Sequence, residues 1–444
     1  MKKVSIVSLG CSKNLVDAEE MLGILEDRGY EIIADEEEAD IMIVNTCAFI
    51  DSAKQESIDC ILEHARHKEK DKNRILVVTG CMSQRYKDEL LKELPEVDIA
   101  IGTNEYANIA DILEKYQSSQ KVLCCSDEYA ESAPLKRVIT TPSYMAYLKI
   151  AEGCDNHCTY CVIPSIRGKY RSRKMEDIIS EAERLAKDGA KELVIIAQDT
   201  TKYGFDLYGE YRLPELLEKL SKIDGIRWIR LHYLYPELLT DELINTIKTN
   251  EKICNYFDIP LQHCNDKILK LMGRRTNKEQ ITNLISKIRT EIPDSVIRTS
   301  LIVGFPTETE DQFEELRDFV TEVELDRVGV FAYSQEEGTP AARMEGQIDE
   351  EEKRDRQDII MVDQAAVSEK LNEKRKGKIF EVLTEGYDAV IKQYFGRTYG
   401  DSEEIDGKVF FTSKAKLDAG DFVNVKISDF SEYDLFGEAL KEDN

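Results

Sequence analysis

The stretch AYLKIAEGCDNHCTYC, residues 146 to 161, sets a short apolar run directly before three cysteines, Cys154, Cys158 and Cys161, spaced C-x3-C-x2-C. AYLKI reads as a strand, and the cysteines fall in the loop that follows it. Downstream, five further runs (ELVIIA, IRWIRLHYL, YFDIP, SVIRTSLIV and RVGVFAYS) alternate with segments long enough for helices. Six βα units predict an incomplete β/α barrel with its chemistry at the C-terminal ends of the strands. The cysteine loop occupies that position on the first strand. Three thiolates at this spacing can wrap three irons of a cubane iron–sulfur cluster and leave the fourth iron without a protein ligand. Structural zinc would need a fourth ligand. His157 is available, but it would have to bend onto the same ion as the adjacent Cys158. An electron-transfer ferredoxin normally supplies four cysteines in a short chain.

Upstream, to about residue 118, the runs VSIVSLG, YEIIAD, DIMIVNTC, RILVVTGC and VDIAIGTN alternate with amphipathic segments and read as a parallel α/β sheet. Three of them end in cysteine: VSLGC at Cys11, IVNTC at Cys47 and VVTGC at Cys81. A single buried cysteine is more often a small core residue. Three at the same strand end, the edge where open α/β sheets gather ligand sites, are expected to converge on a second cluster. Cys60, Cys124, Cys125, Cys254 and Cys264 show no such pattern and read as structural. Residues 117 to 142 read as a linker containing a possible strand, KVLCC. After Gly377 the pattern is strands without helices, the size of a small antiparallel, OB-like barrel.

At 444 residues the chain is too long for one core. Its net charge of −27 disfavours a surface that tracks phosphates and favours a basic partner. The apolar run at the N-terminus stops at Gly10, too short for a signal sequence, and no run approaches a membrane span. A cytoplasmic location is expected, where eleven cysteines point to metal or catalysis rather than disulfides.

The C-x3-C-x2-C loop after the first of six barrel strands resembles that of the radical S-adenosylmethionine enzymes. The resemblance implies that the open iron binds S-adenosylmethionine, whose cleavage yields a 5′-deoxyadenosyl radical. It further implies cofactor contacts at Tyr160 within the loop, at Gln198 and Asp199 in AQDT, and at Gly304 and Glu308 in SLIVGFPTETE. The bland readings of these residues are aromatic packing, a turn and a helix cap. His232, Gln262 and His263 lie near strand ends, and Arg274 and Arg275 in GRRT could hold a carboxylate.

With GCSKN at Cys11, NTCAFI at Cys47 and TGCMSQRY at Cys81, the whole chain resembles the methylthiotransferase family. That implies an N-terminal domain with an auxiliary cluster (1–118), a radical core (140–371) and a C-terminal TRAM β-barrel (374–442). It implies two 4Fe-4S clusters held by the two cysteine triplets. S-adenosylmethionine would serve as methyl donor and as radical source, with sulfur delivered at the auxiliary cluster. No catalytic side chain is assigned.

One branch of the family modifies an adenosine of transfer RNA and another the β-carbon of an aspartate in ribosomal protein S-12. From Lys378 to Asn444 eight Lys or Arg stand against fifteen Asp or Glu, a balance of −7 that would repel RNA and suit a basic protein. GRTYGDSEEIDG and SLGCSKNLVD also resemble the ribosomal-protein branch. The partners implied are S-12, free or in its subunit, an electron donor and a sulfur source, with no membrane and no transfer RNA, and a monomeric enzyme. The C-terminal barrel is expected to lie beyond the core and to serve substrate choice through Glu403, Glu404 and Asp406. A non-catalytic iron–sulfur carrier is the alternative of a different class; it would not cleave S-adenosylmethionine.

Overall fold

The computed structural model describes residues 1–117, 120–128 and 136–440. The boundaries expected at 118 and 442 lie outside the described residues.

The N-terminal sheet comprises β1 (Lys3–Ser8), β2 (Glu31–Ile32), β3 (Ile41–Thr46), β4 (Ile75–Gly80), β5 (Ile99–Ile101) and β6 (Val122–Cys124). Its order is β2-β1-β3-β4-β5-β6 and every pair is parallel. IMIVNT and ILVVTG are buried along their whole length, as central strands covered on both faces must be. The linker reading of residues 117 to 142 needs correction, because KVLCC supplies β6, whose Val122, Leu123 and Cys124 pair with Ile99, Ala100 and Ile101. A three-residue edge strand carries too little periodicity to stand out from a polar segment.

The central sheet is built from β7 (Met145–Lys149), a small antiparallel pair of β8 (Ala151–Glu152) with β9 (Arg171–Ser172), then β10 (Glu192–Ile196), β11 (Trp228–Leu231), β12 (Ile253–Asp258), β13 (Val296–Val303) and β14 (Arg327–Ala332). The six long strands run parallel in the order β14-β13-β12-β11-β10-β7 and do not close. Leu148, Ile195, Ile229, Phe257, Ile297 and Val330 face outward onto helices and form the largest apolar core. The β8/β9 pair ties together the two ends of the cysteine loop. At its entrance Gly153 has φ +75°, and a Cβ there would lie 2.1 Å from the Lys169 carbonyl oxygen, so only glycine fits the turn.

The C-terminal strands β15 (Ile379–Asp388), β16 (Gln393–Arg397), β17 (Val409–Thr412), β18 (Phe422–Phe430) and β19 (Leu435–Ala439) close a five-stranded barrel. It is antiparallel except where β17 and β19 pair parallel to close the ring.

This barrel does not lie beyond the core, as its sequence suggests, but docks against the inner face of the central sheet. Arg397 reaches Glu192 at 2.7 Å, and Arg230 of β11 donates to the Tyr399 carbonyl at 2.6 Å. Asp401 pairs with Arg327 at 2.7 Å, Ser402 meets His232 at 2.9 Å, and Asp406 accepts from the Tyr256 hydroxyl at 2.6 Å. Arg397 and the segment after β16 therefore plug the unclosed barrel, together touching β10, β11, β12 and β14 and, where Asp406 approaches Arg298 at 3.9 Å, β13. Asp406, expected on an acidic docking face, is an anchor with a side chain 2 % exposed. Glu404 remains exposed. Among the described residues no helix is long and apolar enough to cross a membrane.

Candidate functional site

The loop from Cys154 to Cys161 is held from several sides. The Cys154 amide donates to the Gly168 carbonyl at 3.1 Å and the Cys161 amide to that of Cys158 at 3.1 Å. Thr159 is tied through its amide to Met272 and through its hydroxyl to Leu271. The Asn156 amide donates to the Cys154 sulfur at 3.4 Å, while its side chain donates to Asp199 at 2.8 Å. Burial pushes the Cys154 thiol up to about 11 and Cys161 also well upward. All eleven cysteines are free thiols. Among the described residues no three His, Cys, Asp or Glu side chains close on a single ion. Three thiols that sit around a loop, rather than about one point, suit a cluster that offers each a separate metal corner. Binding would remove the protons that burial otherwise retains.

The second triad assembles from three strand ends. Cys11 caps the helix Ser12–Asp27, Cys47 follows β3, and Cys81 begins the helix Cys81–Tyr86 directly after β4. Gly10, at φ +87°, has no room for a Cβ, which would lie 2.9 Å from the Cys47 sulfur. Asn14 of GCSKN donates to the carbonyls of Leu9 at 3.0 Å and Thr46 at 2.9 Å, binding the ends of β1 and β3, and accepts from the Cys81 thiol at 3.7 Å. Burial pushes Cys81 up to about 12, with Cys11 and Cys47 close enough to add to the rise.

Arg167, six residues beyond Cys161 and 1 % exposed, joins the two triads. Its guanidinium donates to the Cys81 sulfur at 3.7 Å and to Asn14, and pairs with Asp17 at 2.9 Å and Glu152 at 3.0 Å. Asp17 also holds Lys149 of β7, and Glu152 accepts from Gln198 at 3.0 Å. Sequence reasoning missed this residue. Its one signal is an arginine closing the short IPSIR helix between the cysteine loop and β9, and nothing local says that it faces another domain.

The expected cofactor contacts divide. Gln198 has its amide nitrogen on Glu152 and leaves its carbonyl oxygen buried without a partner, an acceptor suited to an ammonium donor. Asp199 is 2 % exposed and bonded to Thr201 and Asn156, with burial raising its carboxyl; it positions the loop through Asn156. Tyr160 packs against the cluster of Met272, Phe305 and Tyr333. Gly304 and Glu308 pack against the long helix Glu350–Glu373. The open face of Gly304 is filled by the stem of Lys353, and the fully buried Glu308 pairs with Arg356 at 2.8 Å and caps the Phe305 amide. Both hold the long helix Glu350–Glu373 to the core.

His232 and His263 are buried, and burial lowers them to about 4 and about 3, so both are neutral. His232 meets Ser402 and His263 accepts from the Asn265 amide. Gln262 takes φ +74° and bridges to Leu301. Arg274 donates to Pro260 at 2.8 Å, lies over the Tyr235 ring at 4.5 Å and approaches the Cys158 sulfur at 3.9 Å. With Arg275, His157 and Glu237 it lines a cavity of about 120 Å³ beside the loop.

Comparison with known proteins finds three family matches along the chain. Residues 3–102 match the uncharacterized protein family UPF0004, residues 148–320 the radical SAM superfamily, and residues 377–440 the TRAM domain. The chain is 57 % identical over 445 residues to the ribosomal protein uS12 methylthiotransferase RimO of Clostridioides difficile (strain 630), covering 100 % of both. It is 53 % identical to the protein of the same name from Thermoanaerobacter sp. (strain X514), covering 99 % of this chain and 100 % of that one. Among solved structures, the radical S-adenosylmethionine methyltransferase TsrM of Kitasatospora setae shares the fold. It matches at a TM-score of 0.56 and 12 % identity, over 88 % of this chain and 79 % of its own. The cobalamin-dependent radical enzyme OxsB matches at 0.53 and 13 %, over 80 % and 56 %. With full-length identity above one half and all three parts in order, the chain belongs to the radical SAM ribosomal protein uS12 methylthiotransferase family.

Proposed function

We propose that this chain methylthiolates the β-carbon of an aspartate in ribosomal protein uS12, using S-adenosylmethionine as methyl donor and as radical source. The observation that carries the reading is that Arg167 contacts the N-terminal triad and the loop's own β8 carboxylate at once, so both triads border one seam. Cys154, Cys158 and Cys161 would hold one 4Fe-4S cluster and Cys11, Cys47 and Cys81 a second. Bound there, they would supply the electron that opens S-adenosylmethionine and the site at which sulfur is delivered.

The chain's own groups bind and orient. Gln198 presents its unpartnered oxygen to the cofactor, with Tyr160 beside the loop and Asp199 fixing it through Asn156. Glu152 keeps Gln198 in register because Arg167 and Lys149 hold its carboxylate charged against the pull of burial. An unactivated C–H bond lies beyond any general base at neutral pH, so side chains here are needed for placement rather than for proton transfer. Relatives of this identity are named for uS12, which supports a cytoplasmic reaction on a protein rather than on transfer RNA. An electron donor and a sulfur source are required, and we take the enzyme to act as a monomer. We place the domain limits near 1–118, 140–371 and 374–442, with β6 assigned to the N-terminal sheet.

Anaerobic turnover with uS12 or a peptide bearing its aspartate loop, followed by mass spectrometry, tests the reading. One added methylthio group on the aspartate is expected. Modification of transfer RNA with uS12 unchanged would move the chain to the other branch, and absence of 5′-deoxyadenosine would favour a cluster carrier.

A further inference from the structure

The seam between the two triads holds one cation with no carboxylate of its own. Three basic side chains enter it, Lys13, Lys149 and Arg167, each at most 7 % exposed. Two carboxylates pair with them directly, Asp17 and Glu152, each contacting both Lys149 and Arg167, and Glu20, bonded to the Tyr106 hydroxyl, adds to the negative charge around Lys149. Lys13 is left over. Among the described residues no carboxylate stands within ion-pair distance of its ammonium, whose partner is the Tyr233 ring at 3.5 Å from the centroid. That ring is held deliberately: Tyr233 takes φ +59°, a costly conformation for a bulky residue, and its amide is anchored to Asp258 at 2.9 Å.

A buried ammonium set over an aromatic ring, with no carboxylate beside it, gains less from the ring than desolvation costs. Such a group persists where an anion completes it. Lys13 lies two residues from Cys11, close enough to feel its charge, but its ammonium sits over the Tyr233 ring, just past the end of β11. The N-terminal sulfurs already have a cation of their own, since Arg167 lies 3.7 Å from Cys81. The anion that must enter between the triads is the reacting side chain.

We infer that Lys13 is the specificity residue that receives the carboxylate of the target side chain, with Tyr233 as the platform that aims its ammonium. This rests on the reading of the substrate as an aspartate. A site that offers a buried ammonium accepts a carboxylate and rejects the isosteric amide, which would leave the charge unmatched.

The test uses the anaerobically reconstituted full chain and two synthetic peptides of the uS12 loop, one with the target aspartate and one with asparagine there. Binding is measured by fluorescence anisotropy, with iron content and the reduction potentials of the clusters recorded beside it. The wild type should bind the aspartate peptide at least about ten-fold more tightly. Lys13→Met should bring that ratio to about two-fold or less with iron and potentials unchanged, and Lys13→Arg should keep most of it. An undiminished ratio in Lys13→Met overturns the inference. So does a fall that comes with lost iron or a shifted potential, which would assign the ammonium to the cluster. If the wild type modifies neither peptide, the reading of the reaction itself fails, a result distinct from these.

Discussion

The central sheet meets its two neighbours across seams made of the same material, buried ion pairs, and puts them to opposite uses. Against the C-terminal barrel most of the buried charges are paired. Glu192 is clasped by Arg230 at 2.8 Å and Arg397 at 2.7 Å, Arg327 by Asp401, and Arg298 by Asp258, with side chains between 0 and 16 % exposed. Burial alone would raise the Glu192 carboxyl, yet the two arginines hold it at about 2. Against the N-terminal sheet the charges run beside the cysteines, and the groups left without a partner include the Gln198 oxygen, while the Lys13 ammonium has no carboxylate. A closed set of charges docks a domain, whereas one left incomplete beside reactive sulfur is poised for a ligand.

The sharpest way to break this contrast is to remove the sulfurs. Replacing Cys154, Cys158 and Cys161 with alanine should abolish 5′-deoxyadenosine formation entirely. Replacing Cys11, Cys47 and Cys81 should remove a second, spectroscopically distinct cluster and all methylthiolation while leaving some cleavage. Iron analysis and electron paramagnetic resonance read both, and full iron retention in the second variant would refute the convergent site.

At the closed seam, Arg397→Ala should cost about 3–5 kcal/mol of stability, because Glu192 loses a partner in a site that admits no water. Chemical denaturation measures it; a loss below 1 kcal/mol would mean the plug is not an anchor. The same seam argues that truncation after Gly377 destabilises the core, since it strips the partners from Glu192, Arg230 and Arg327. For Glu192 the sign is that of a depressed acid: its contribution is complete above the ordinary carboxylate range and is lost as pH falls toward 2.

The open seam should be less costly to disturb. Arg167→Lys keeps the charge but cannot span Asp17, Glu152, Asn14 and Cys81 together. It should lower methylthio product by about 10- to 100-fold relative to 5′-deoxyadenosine, a change in coupling that mere destabilisation would not produce. An unchanged product ratio would reduce Arg167 to a packing residue.

The smallest effect is expected at the edge of the plug. Burial, aided by Glu385 and Glu404 and opposed by Arg397, raises Glu403 to about 7. A raised carboxylate penalises the folded state increasingly as pH climbs from the ordinary range through 7. Glu403→Gln should therefore stabilise by about 1 kcal/mol at pH 8, after allowance for partial solvent screening, and have little effect at pH 5. Thermal melts at the two pH values decide it.

Much of this was legible in the chain itself. Apolar runs such as ELVIIA and DIMIVNTC declare parallel strands because both of their faces are buried, and a cysteine just past such a run must lie at the sheet's C-terminal edge whatever else happens. Both triads follow from that local rule, as does the small closing barrel after Gly377. What required the tertiary structure is everything that depends on which surfaces meet. KVLCC reads as a possible strand, but its place as β6 at the edge of the N-terminal sheet, like the parallel β17–β19 pair, shows only through its neighbours. Gly304 and Glu308 sit at a proper strand end, yet helix Glu350–Glu373 covers them. Asp406 carries the same charge as Glu404 but is an anchor, because Tyr256 and Arg298 are there to receive it. Arg167 and Lys13 are ordinary basic residues in sequence; their roles arise from partners far along the chain, Cys81 and Tyr233. Periodicity and spacing are set by backbone geometry within one element, so a sequence can state them. The pairing of buried charges is set by the docking of elements, so only the folded chain can.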